Sequence, residues 1–141
     1  MNGGTISNNK ASNSDGGALY LDGGNATVTG GTIELNEAQN GGGAYLAGGT
    51  LVISNGLFKE NKATSNGGAF YLNGGNAIVT GGTIELNEAQ NGGGAYIAGG
   101  ELDISNGLFS NNKAAVNGGG AFVEGGNITM SGGSFDFNRA N

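Results

Sequence analysis

Apolar and polar positions alternate along this chain in short bursts, and the bursts recur. The clearest is Leu51-Val52-Ile53-Ser54, with counterparts at Ala26-Thr27-Val28-Thr29, Ala77-Ile78-Val79-Thr80, Leu102-Asp103-Ile104-Ser105 and Ile128-Thr129-Met130-Ser131. The first and third positions are always apolar and the fourth is always Thr or Ser. That alternation predicts a strand with its first and third side chains inward. A second stretch sets an apolar residue three positions before an Asn and five before an Ala. It opens at Ile6, Ile33, Phe58, Ile84, Phe109 and Phe135. A third is Gly-Gly-Ala followed by a large apolar residue, with the Ala at Ala18, Ala44, Ala69, Ala95 and Ala121. Each pattern has a period of about 26 residues, the signature of a solenoid. Three short stretches per period, separated by Gly and Asn turns, predict three strands per coil and five to six coils in one repeat domain over residues 1–141.

Stacking the coils turns sequence positions into columns. Asn9, Asn36, Asn61, Asn87, Asn112 and Asn138 form one. Coils stack at the strand spacing of about 4.8 Å, so identical amides in a column are expected to bond to one another along the axis. The next position reads Lys10, Glu37, Lys62, Glu88, Lys113, Arg139, and the outward row before the Asn reads Ser7, Glu34, Lys59, Glu85, Ser110, Asp136. Opposite charges alternate through most of both. Such cross-strand pairs contribute a few tenths to about 1 kcal/mol each. A slip of one coil would set Glu on Glu, so the pattern also specifies register.

The Gly-Gly-Ala strand is apolar on both faces. After each Ala come Leu19, Tyr45, Phe70, Tyr96 and Phe122, expected to form an inward aromatic stack. The following row, Tyr20, Leu46, Tyr71, Ile97 and Val123, is expected to face outward as an interaction stripe. Glu124 shares the inward parity of the first row and conflicts with that placement. Coils also alternate in kind: residues 30–39 return unchanged at 81–90, which makes the larger unit a pair of coils.

Composition narrows the chemistry. Gly is 33 of 141 residues and Pro is 0, neither collagen-like nor a Pro-rich linker. There is no Cys, hence no disulfide framework and no thiolate metal site. A formal charge of −6 argues against nucleic acid, which wants a basic stripe. No apolar run reaches membrane-spanning length, so insertion into a membrane by this segment is not expected. The first residues, Asn2-Gly3-Gly4-Thr5-Ile6, are already in repeat phase, without the pattern of a signal peptide. No cofactor or metal site is expected.

The Gly-Gly-Ala-apolar and Phe-x-x-Asn blocks resemble those of chlamydial polymorphic membrane proteins and, more broadly, the right-handed parallel β-helix repeats of bacterial surface adhesins. Phe58-Lys59-Glu60-Asn61, Phe109-Ser110-Asn111-Asn112 and Phe135-Asp136-Phe137-Asn138 carry the second motif; Ile6, Ile33 and Ile84 depart from it. The resemblance implies an all-β, right-handed parallel β-helix and an extracellular, non-catalytic passenger that displays surfaces or adheres to a host-cell or glycan ligand.

Right-handed β-helices also host glycan-active enzymes, which need converging carboxylates, or a basic residue with bound calcium. Here Asp15, Asp22, Asp103 and Asp136 fall in different columns and His is absent. An ice-binding face is an alternative, on the outward Thr29, Ser54, Thr80, Ser105, Ser131 column. A designed or consensus scaffold is another, on the near-identical coil pairs. Residues 3–11 and 132–140 are copies of one strand, and uncapped strand edges predict self-association, end to end or side by side through the outer stripe.

Overall fold

The computed structural model describes all 141 residues, Met1–Asn141. It is all-β, and every strand pair is parallel. The chain winds through three sheets in turn. The first stacks Asn2–Ser7, Gly30–Glu34, Leu57–Lys59, Thr83–Glu85, Leu108–Ser110 and Ser134–Asp136. The second stacks Glu37–Asn40, Lys62–Asn66, Glu88–Asn91, Lys113–Asn117 and Arg139–Ala140. The third holds the long strands Leu19–Val28, Ala44–Ile53, Phe70–Val79 and Ala95–Ile104, completed by Ala121–Val123 and Asn127–Met130. About five turns of roughly 26 residues make a parallel β-solenoid with three strands per turn.

The three strands divide differently from the sequence expectation. The Gly-Gly-Ala stretch and the Leu51-Ile53 stretch are one strand, interrupted only by a register shift near Asp22, Gly48 and Gly99. The Asn-bearing stretch is two strands, because the chain turns sharply at each Asn. The residue before the Asn is in the left-handed region in every coil: Asn8, Leu35, Glu60, Leu86, Asn111 and Phe137, with φ between 53° and 59°. That single residue makes the corner between the first and second sheets.

The interior is a set of columns, one residue per coil. Ile33, Phe58, Ile84 and Phe109 come from the first sheet and Ala38, Ala63, Ala89 and Ala114 from the second. Leu46, Leu72, Ile97, Ile53, Val79 and Ile104 come from the third. The first and third positions of the Leu51-Ile53 burst are fully buried, as alternation requires.

The Gly-Gly-Ala strand corrects the expected rows. Leu19 pairs with Ala44, Ala44 with Phe70, Phe70 with Ala95 and Ala95 with Ala121. Tyr20, Tyr45, Tyr71, Tyr96 and Phe122 are therefore one row, and Leu21, Leu46, Leu72, Ile97 and Val123 another. The expected outward stripe of Tyr20, Leu46, Tyr71, Ile97 and Val123 mixes the two: Leu46 and Ile97 are 0% exposed, whereas Tyr20 is 54% exposed. The expected inward row of Leu19, Tyr45, Phe70, Tyr96 and Phe122 mixes two rows as well. The cause is one extra glycine. Asn40-Gly41-Gly42-Gly43-Ala44 has the same length as Asn66-Gly67-Gly68-Ala69-Phe70, so Gly43 stacks on Ala69 and Ala44 on Phe70. A shift of one residue reverses the facing of every side chain on a strand. With the corrected parity Glu124 lies outward, and its conflict disappears.

The extra glycine has a packing reason. A Cβ at Gly43 would lie 2.8 Å from the Ala69 carbonyl oxygen and 3.3 Å from the Phe58 ring. One side of the core is thereby kept small where the opposite side is large. The rings of Phe58, Phe70, Phe109 and Phe135 then follow one another through the interior at centroid distances of 4.8, 6.4 and 4.6 Å.

Candidate functional site

The chemistry-bearing residues gather at two places: the corner between the first and second sheets, and the outer side of the third. At the corner, each ladder Asn is fully committed. The Asn36 backbone N–H and Nδ2 both donate to Asn61 Oδ1, at 3.2 and 2.9 Å, and its Nδ2 also donates to the Ile6 carbonyl at 3.0 Å. Asn61 repeats this toward Asn87 and Ile33, Asn87 toward Asn112 and Phe58, and Asn112 toward Asn138 and Ile84. Asn9 donates to Asn36 Oδ1 in the same way. Asn36, Asn61, Asn87 and Asn112 are wholly buried, and no buried side-chain nitrogen or oxygen lacks a partner. Amide-to-amide donation runs one way along the axis, while the Nδ2 of Asn36, Asn61, Asn87 and Asn112 also donates back to a carbonyl of the preceding coil.

The charged rows flank this corner. Lys10, Glu37, Lys62, Glu88, Lys113 and Arg139 are in register, as are Glu34, Lys59, Glu85, Ser110 and Asp136. Ion pairs form between Lys10 and Glu37 at 2.7 Å and between Lys62 and Glu88 at 4.0 Å. Lys59 turns to Glu60 in its own coil, at 3.6 Å, rather than to Glu34 or Glu85. The Glu37 carboxyl is held below its ordinary range by the Lys10 hydrogen bond, then by the Lys10 charge. Each coil presents one band across the corner: Glu34 and Glu37 beside exposed Leu35, Lys59 and Lys62 beside Glu60, Glu85 and Glu88 beside exposed Leu86. Every basic side chain of the protein lies on these two sheets. The third sheet and its turns carry Asp15, Asp22, Glu101, Asp103 and Glu124 and no basic residue.

Two open grooves of about 350 and 360 Å³ run along the second sheet. Lys10, Ser12, Asn13, Glu37 and Gln39 line one; Lys62, Glu88, Gln90 and Lys113 line the other. Their walls are these charged rows and small neutral side chains. Nowhere do three or more Asp or Glu side chains come together as a metal site would need.

Outside the third sheet, Tyr20, Tyr45, Tyr71, Tyr96 and Phe122 stack ring on ring, with centroids 5.0 to 5.3 Å apart. Tyr45, Tyr71 and Tyr96 have both ring faces covered, while Tyr20 and Phe122, at the ends of the stack, are covered on one side and Tyr20 is 54% exposed. Tyr45 accepts a 3.0 Å hydrogen bond from Asn73. Burial raises the phenols of Tyr45 and Tyr71. Tyr96 is pushed up to about 12, by burial first and then by the Glu124 carboxylate beside it. The Thr29, Ser54, Thr80, Ser105, Ser131 column is exposed. The neighbouring row, in register, reads Thr27, Val52, Ile78, Asp103, Thr129.

A second amide column escaped the sequence reading. Asp15, Asn40, Asn66, Asn91 and Asn117 stack at the turn out of the second sheet. Asn40 Nδ2 donates to Asp15 at 2.9 Å, Asn91 Nδ2 to Asn66 at 3.0 Å and Asn117 Nδ2 to Asn91 at 2.9 Å. The signal was present: each of these residues precedes a glycine and stands five positions before the aromatic of the stacked row.

Parallel coils, a hydrogen-bonded Asn column and three-sheet winding define a solenoid of the β-helix class. The chain belongs to the family described as right-handed beta helix region, whose match spans residues 1–141. No curated protein and no solved structure matches it.

Proposed function

We propose that this chain is a non-catalytic structural and adhesive module of an extracellular bacterial surface protein, whose banded corner docks on a second copy. The observation that carries this reading is where the polar chemistry goes. The buried amides are consumed by the ladder, and the one shifted carboxyl is shifted downward, away from a proton-transferring acid near neutrality. What remains for partners is the surface. The resemblance of the repeat motifs to polymorphic membrane protein passengers supports an extracellular setting.

Charge complementarity favours a second copy as occupant. Laid alongside with an offset of one coil, Glu34 and Glu37 of one copy face Lys59 and Lys62 of the other, with Leu35 and Leu86 between the charged rows. A glycan is a weaker occupant, because both ring faces of Tyr45, Tyr71 and Tyr96, on which a sugar would lie, are covered by neighbouring rings. Sedimentation over a hundredfold concentration range tests the association. Self-association that weakens with salt, and weakens again in Lys62→Glu, is expected. A monomer at every concentration and ionic strength would overturn the docking. Release of reducing ends from any of a panel of polysaccharides would overturn the non-catalytic reading.

An ice-binding reading has one observation in its favour, the in-register Thr and Ser column. The adjacent row, with Val52, Ile78 and Asp103, supplies no second hydroxyl rank. A thermal-hysteresis measurement separates the two readings.

A further inference from the structure

We propose that Asn55 and Asn106 are sites of spontaneous covalent self-modification, converting through a succinimide to aspartate and isoaspartate, while Asn40, Asn66 and Asn91, in the same Asn-Gly dipeptide, are held inert by the fold. The reaction is intramolecular. The backbone nitrogen of the following glycine, deprotonated by solvent base, bonds to the asparagine Cγ; the Cγ–Nδ2 bond breaks and ammonia leaves. Water then opens the five-membered ring at either carbonyl. The net change is asparagine plus water to aspartate or isoaspartate plus ammonia, with one negative charge gained per site and no oxidant or cofactor needed.

The geometry distinguishes two classes of Asn-Gly. At Asn55 and Asn106 the glycine nitrogen is hydrogen-bonded to the side chain of its own asparagine. Gly56 N–H donates to Asn55 Oδ1 at 3.0 Å, and Gly107 N–H to Asn106 Oδ1 at 3.0 Å. Cγ, the target, is the atom bonded to that oxygen. Both asparagines are exposed, and neither Nδ2 is tied to another group of the protein, so the leaving amide faces water. The hydrogen bond keeps the glycine nitrogen beside the side-chain amide, a small side-chain rotation away from Cγ. The glycine cannot be exchanged for a bulkier residue that would slow the reaction. Gly56 and Gly107 have φ of 144° and 143°, and a Cβ there would lie 2.9 and 2.8 Å from Val28 and Val79 Cγ1.

At Asn40, Asn66 and Asn91 the same dipeptide is disarmed. Gly41, Gly67 and Gly92 donate their N–H to the carbonyls of Asn66, Asn91 and Asn117 in the next coil, each at 2.9 Å. The nucleophile is directed along the axis, away from its own side chain. The side-chain amides of Asn40 and Asn91 are also pinned, by Asp15 and Asn66. Reaction there requires a coil to part from its neighbour.

Asn55 and Asn106 occupy equivalent corners two coils apart, at the turn from the third sheet into the first. Each conversion adds negative charge to a surface that already carries a net −6. Isoaspartate also lengthens the backbone by one carbon inside a turn stacked between coils.

The test is incubation of the full chain, native or unfolded in denaturant, in mildly alkaline buffer. Site-resolved mass spectrometry follows the gain of one mass unit, and isoaspartyl methyltransferase labelling counts isoaspartate. In the native chain Asn55 and Asn106 are expected to convert at least about tenfold faster than Asn40, Asn66 and Asn91. In the unfolded chain the five rates should converge. Asn55→Gln and Asn106→Gln should each remove labelling at their own site and leave the other unchanged. Native rates at Asn55 and Asn106 as slow as those of Asn40, Asn66 and Asn91 would overturn the proposal. Rates that differ as much in the unfolded chain as in the native one would overturn it too, because local sequence rather than fold would then be responsible.

Discussion

At the scale of the residue, the corner is built from a costly conformation and a strong compensation. A non-glycine residue in the left-handed region costs about 1–2 kcal/mol, and every coil contains one. The Asn beside it supplies hydrogen bonds in both directions along the axis, which holds the turn. Two expectations follow from the separate halves. Asn61→Leu leaves the Asn36 N–H and one Nδ2 proton without an acceptor in a dry interior, and should cost at least about 1–3 kcal/mol in denaturant titration. Leu35→Asn and Leu86→Asn place at the left-handed position the residue that Asn8 and Asn111 already supply there. They remove exposed apolar surface and should stabilise by about 0.5–1 kcal/mol each. Both effects are readable in thermal melts, and their opposite signs separate the ladder from the strain it offsets.

At the scale of the element, the tyrosine stack and the charged rows respond to pH from opposite ends. A raised phenol pKa in the folded state means the native stack holds its protons longer than the unfolded chain. Its stabilising contribution is complete below the ordinary tyrosine value of about 10 and is lost as pH rises through the folded values, to about 12 for Tyr96. A tyrosinate absorbance titration should therefore show Tyr45, Tyr71 and Tyr96 ionising late, with loss of the fold in the same range. Glu37 acts in the other direction. Its folded pKa is lowered, so its contribution is present above the ordinary carboxylate range and is lost as pH falls through the folded value. Lys62→Glu would put like charges at three successive positions with Glu37 and Glu88, which pair with it in register. Because these side chains are largely exposed, the cost should be about 0.5–1 kcal/mol at low ionic strength and smaller in high salt.

At the scale of the whole molecule, charge is segregated by face. The charged residues of the third sheet are all acidic, while the first two sheets alternate in sign through most of their coils. Copies should avoid meeting through the third sheet and prefer the corner, where an offset of one coil converts repulsion into pairing. A double reversal, Glu85→Lys with Lys62→Glu, would break the bands without changing net charge. It should weaken association at least about tenfold by sedimentation while lowering the melting temperature by only a few degrees.

The period, the stacked coils, the inward parity of Leu51 and Ile53, and the columns of Asn9 to Asn138 and Lys10 to Arg139 are legible in the order of residues. Side chains with a strong preference for water or for the core mark their own facing, and a 26-residue spacing then stacks them. The tertiary structure alone decided the facing of the Gly-Gly-Ala strand. Glycine has no side chain to mark a column, and matching Ala44 to Ala69 in sequence differs by one residue from the hydrogen-bonded match of Ala44 to Phe70. That one residue exchanges Tyr45 for Leu46 between core and surface. Backbone pairing at Asn40 and Asn66, the stacking of tyrosine on tyrosine, and the room Gly43 leaves beside Phe58 settle the choice. All three are contacts between coils, formed only when one turn of the chain lies on the next.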